Sequence, residues 1–185
     1  MSIEERGRAL EEAFYAKKNA ELLGQVKLDL DTKSKRDDIK SATGITDDTV
    51  LDSLIGIGVD SSSLAAISIA PMVFVAWADG SINDKEREAV MAGAEKAGIS
   101  ADSTAAKMLS GWLTEKPDAS LTEAWKGYID AINLKLPAGD KVKLGEQIMA
   151  RCSSVAEAAG GFLGLGSIST KEKAILDMLK STLDA

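Results

Sequence analysis

Apolar positions near the start of the chain recur at helical steps. Ala9, Ala13, Ala16, Ala20, Leu23, Val26 and Leu30 advance by fours and threes. Ser2 and Glu5 have capping-box spacing ahead of them. Leu10 and Phe14 widen the stripe into a seam like that of a coiled coil. The pattern predicts one long amphipathic helix that either lies along its own body or serves as a dimerisation or partner-docking helix. From Asp31 to Gly44 (DTKSKRDDIKSATG) nearly every side chain is polar. A solvated connection is expected there, with or without partial helicity, its mixed charges forming an exposed face.

Beyond this arm the pattern stays helical. A short helix is expected through DDTVLDSLIGIG, capped by Thr46 and bracketed by Gly44 and Gly58. The most apolar stretch follows, from the Asp60/Ser61 cap to Asp79. It predicts a central helix that Pro71, lacking an N–H, kinks or interrupts. Further helices are expected at about 83–97, 100–115, 120–135, 140–159 and 170–183. Asn83, Ser100, Ser120, Asp140 and Ser169 mark their starts, with Gly98, Pro117 and Pro137 at the breaks. Alternating strand patterns and Asn-Gly hairpin turns are absent. The fold class is therefore all-α, a helical bundle with an added N-terminal helix: residues 1–44 as arm and connection, residues 45–185 as the body.

Composition narrows the chemistry. There is no histidine and one cysteine, Cys152. This removes Ser-His-Asp and Cys-His nucleophile systems, nearly all catalytic zinc sites, internal disulfides and thiolate clusters. No catalytic residue is expected, and Cys152 fits a small buried helical residue. Net charge is -7, and residues 1–44 carry nine acidic and nine basic side chains, so the whole excess lies in the body. An acidic body argues against nucleic acid and favours a cation, a basic partner or simple solubility. The opening MSIEERGRALEE is charged where a secretory signal is apolar. The apolar run Leu64–Ala78 is shorter than the roughly 20 residues a bilayer span needs. A cytoplasmic protein is expected, with peripheral membrane association left open.

One stretch carries candidate chemistry. Asp79 to Glu86, DGSINDKE, has the spacing of the back half of an EF-hand loop. The segment GSINDKE at 80–86 recurs as GSISTKE at 166–172. The repeat predicts two related helix-turn-helix halves, each turned by the same corner. Capping boxes account for Asn83 with Glu86 and for Ser169 with Glu172, while Ile82 and Ile168 are expected to plug the core beneath. Asp79 is not explained this way, since a helix C-terminus disfavours an acid. Asp79, Asp84 and Glu86 are therefore the candidate metal ligands, for Ca2+, Mg2+ or Mn2+. Val75 and Trp77 occupy the first and third ligand positions, so a complete EF-hand is excluded. The competing expectation is a helix corner that binds nothing.

Gly161 to Gly166 has P-loop spacing, but Ser167 replaces the required lysine and no strand precedes it. A compact glycine loop placing Phe162 and Leu163 in the core, or presenting them to a partner, is expected instead. Trp112 and Trp125 have apolar helical neighbours and are expected in the core. The candidate partner-binding residues are Phe14, Leu23, Phe162 and Leu163, with a protein partner or a second copy engaged through the N-terminal helix.

The stretch APMVFVAWADGSINDKEREAVMAGAEKAGI (70–99) resembles the signature of TerB-like domains, named for tellurite-resistance proteins. SSVAEAAGGFLGLGSISTKEKAILDML (153–179) resembles its second-half counterpart. The resemblance covers roughly residues 60–185 and implies an internally duplicated, all-helical domain. It further implies an acidic, non-enzymatic module linked to metal or chemical stress, of a kind for which calcium or other cation binding is often proposed, with ties to membrane-associated complexes. Asp79 and Glu86 match that family's acidic pair. Leu165 stands where the second copy would carry an aspartate.

Overall fold

The structure is a computed structural model that describes residues 3–159 and 168–184. Its regular elements, among these residues, are all helical. Helix α1 spans Ile3–Thr43 without a break. The expected connection over 31–43 is thus helix, and the reason lies in what its few non-solvated groups reach. Asp31 and Lys35 pair at i,i+4 across 2.7 Å. Arg36 forks onto Asp52, its Nη2 donating to Oδ2 at 2.6 Å. Ile39, the one large apolar side chain of the run, is fully buried. Gly44, at φ 69°, ends the helix in the left-handed region.

Helix α2, Asp48–Gly56, is capped by Asp47, not Thr46: the Asp47 carboxylate accepts from the Thr49 and Val50 amides. The C-terminal part of α1 packs on α2. The apolar stretch that follows is two pieces, a 3-10 turn over Leu64–Ser68 and helix α3 over Ala70–Ala76. Pro71 sits in the first turn of α3, where its missing N–H costs nothing, so it interrupts the expected helix by starting a new one. Helix α4 is Asp84–Lys96, α5 Thr104–Thr114, α6 Ala119–Asn133, α7 Ala138–Ala159 and α8 Thr170–Leu183. Ser103 caps α5 and Asp118 caps α6, in place of the expected Ser100 and Ser120.

Helix α3 is central as its composition predicts, packing against α4, α5, α6, α7 and α8. Six of its seven residues are buried. Phe74 meets Trp125 edge-to-face at 6.0 Å. Trp125 and Cys152 are fully buried, whereas Trp112 is only half-buried. Helix α4 comes so close to α3 that a Cβ on Gly93 would lie 2.3 Å from the Met72 methyl. Helix α7 spans the assembly, contacting α3, α4 and α8.

The middle of α1 behaves differently. Every residue from 13 to 31 is exposed, so over this stretch the helix does not lie against its own body. No helix among the described residues is long and apolar enough to cross a membrane.

Candidate functional site

The corner between α3 and α4 is built by local side-chain–backbone bonds. After α3 the chain turns through Gly80 at φ 98°, a conformation that favours glycine. The Asp79 carboxylate accepts from the Ser81 amide at 2.9 Å and from its hydroxyl at 3.2 Å, an Asx turn that fixes the bend. Asn83 then caps α4. Its side chain accepts from the Glu86 amide at 3.0 Å, and the Glu86 carboxylate accepts from the Asn83 amide at 2.8 Å. Two hydrogen bonds between residues far apart in the chain clamp the corner to the end of α5. The Trp77 indole donates to the Trp112 carbonyl, and Arg87 donates to the Leu113 carbonyl, each at 2.8 Å. Arg87 thereby places a cation on the negative end of the α5 dipole.

The second corner repeats the cap. Ser169 accepts from the Glu172 amide at 3.2 Å, and Glu172 accepts from the Ser169 amide at 2.7 Å. Glu86 and Glu172 are 4% and 5% exposed, the only charged side chains in the described core. Burial holds the Glu86 carboxyl above the ordinary glutamate range. The Asn83 amide works against that shift, while Asp79 and Glu172 add to it. The two capping glutamates are thus electrostatic neighbours, which the sequence repeat alone does not reveal. The corners differ beneath: Ile82 packs against the core, but Ile168 is 39% exposed and plugs nothing.

The three candidate ligands have three separate situations. Asp79 is exposed and engaged by Ser81, Asp84 is exposed in the first turn of α4, and Glu86 is buried in its box. Among the described residues, no three His, Cys, Asp or Glu side chains gather closely enough to hold a metal ion. As they stand, the donors do not make a complete ligand set.

The arm presents a second candidate surface. Phe14, Tyr15, Leu22, Leu23, Val26, Leu28 and Leu30 are 54–70% exposed on α1. Phe14 and Leu23 are thus accessible, as a partner-binding role requires. Phe162 and Leu163 lie outside the described residues. Sequence periodicity singles out the Ala-rich seam but passes over Tyr15, Leu22 and Leu28, whose exposure follows only from the arm's position. It also passes over Leu134 and Val142, exposed at 87% and 61% beside an open groove between the C-terminal ends of α6 and α8 and the start of α7.

Comparison with known protein families, with curated proteins and with solved structures finds no match to this chain.

Proposed function

We propose that this chain is a non-enzymatic, TerB-like helical module that works by protein–protein contact, with α1 as its docking arm. The observation that carries the reading is the exposure of residues 13–31 together with their seven large apolar side chains. An exposed apolar surface of that extent on a soluble domain marks a binding site. A helix stretch of this length with no tertiary packing is also marginal by itself in water. The body fits a rigid carrier, its two capping-box corners belonging to two related halves around α3.

Site-specific photo-crosslinking tests the reading. A benzophenone side chain at Phe14 or Leu23 is expected to give discrete cross-linked protein products in cells. The same group at Glu123, exposed on the body, is expected to give none. Absence of product at both arm positions would sink the docking role.

One observation favours a second reading, a cation-responsive corner: buried Glu86 has Asp79 and Glu172 as acidic neighbours, and a divalent cation would relieve their repulsion. Calorimetric titration of Ca2+, Mn2+ and Mg2+ into chelator-stripped protein tests it. Saturable binding that weakens at least about tenfold in Asp79→Asn supports a metal role. Absence of heat at millimolar cation leaves a helix corner.

A further inference from the structure

We draw no further inference here: the strongest candidate, the open groove beside Leu134 and Val142 between the C-terminal ends of α6 and α8 and the start of α7, carries none because nothing in the structure shows what covers it.

Discussion

Glu86 combines two opposed demands, since its carboxylate completes a helix cap yet sits 4% exposed beside Asp79 and Glu172. A carboxyl whose folded value is raised binds its proton more tightly in the folded state than in the unfolded one. Its contribution to stability is therefore fully present below the ordinary glutamate range and is lost as pH rises through the raised value. Glu86→Gln keeps an acceptor for the Asn83 amide and removes the charge. Its melting temperature relative to wild type is expected to move in the variant's favour as pH rises from acid to neutral, checked by scanning calorimetry across that range. A constant difference would show that burial of the charge has no cost here. Cys152 is a simpler case. Burial pushes its thiol up to about 12, so little thiolate exists near neutrality. A thiol reagent is expected to be inert toward the native chain and to label one thiol on unfolding; rapid native labelling would contradict the packing around α7.

At the scale of elements, much was legible from sequence. The bounds of α8 and both capping boxes follow from residue type and spacing, because a cap is a bond between residues three apart. Elsewhere two capping-competent side chains compete within a few positions: Thr46 with Asp47, Ser100 with Ser103, Ser120 with Asp118. Which one caps depends on where packing places the helix start, and sequence order does not hold that information. The continuity of α1 was hidden for the same reason. Its polar run reads as solvated, and only the burial of Ile39 by the body and the Arg36–Asp52 fork show that it is packed. The glycines separate the two situations experimentally. Gly80 sits at φ 98° with open space around it, so Gly80→Ala costs backbone strain alone, about 1–2 kcal/mol. Gly24 lies inside exposed α1 with nothing near its Cβ position, so Gly24→Ala improves helix propensity by about 0.5–1 kcal/mol. Urea denaturation of the first and the helical circular dichroism of the second are the checks. Equal effects of either sign would mean that these positions are not the turn and the helix interior described.

For the whole molecule, the metal question and the docking question divide between two regions that the sequence presents with equal emphasis. The corner attracts attention through its EF-hand spacing, but its acids are mostly engaged in turning the chain. The arm reads as an ordinary amphipathic helix, and only the tertiary arrangement shows that residues 13–31 are left uncovered. Along α1 the exposure changes between Asp31 and Ile39. Among the residues whose burial is described, the core begins with Ile39 and contains no residue of 13–31. Deleting residues 1–30 is therefore expected to leave the unfolding free energy of the body nearly unchanged. Ile39→Ala, which empties a fully buried position, is expected to cost about 2–5 kcal/mol. Both are measured by urea denaturation at protein concentrations low enough that copies do not associate, since binding otherwise adds to apparent stability. If the deletion destabilises the body as much as Ile39→Ala does, the arm packs on its own body in solution. The apolar stripe of α1 would then belong to the fold, and no partner would be needed to explain it.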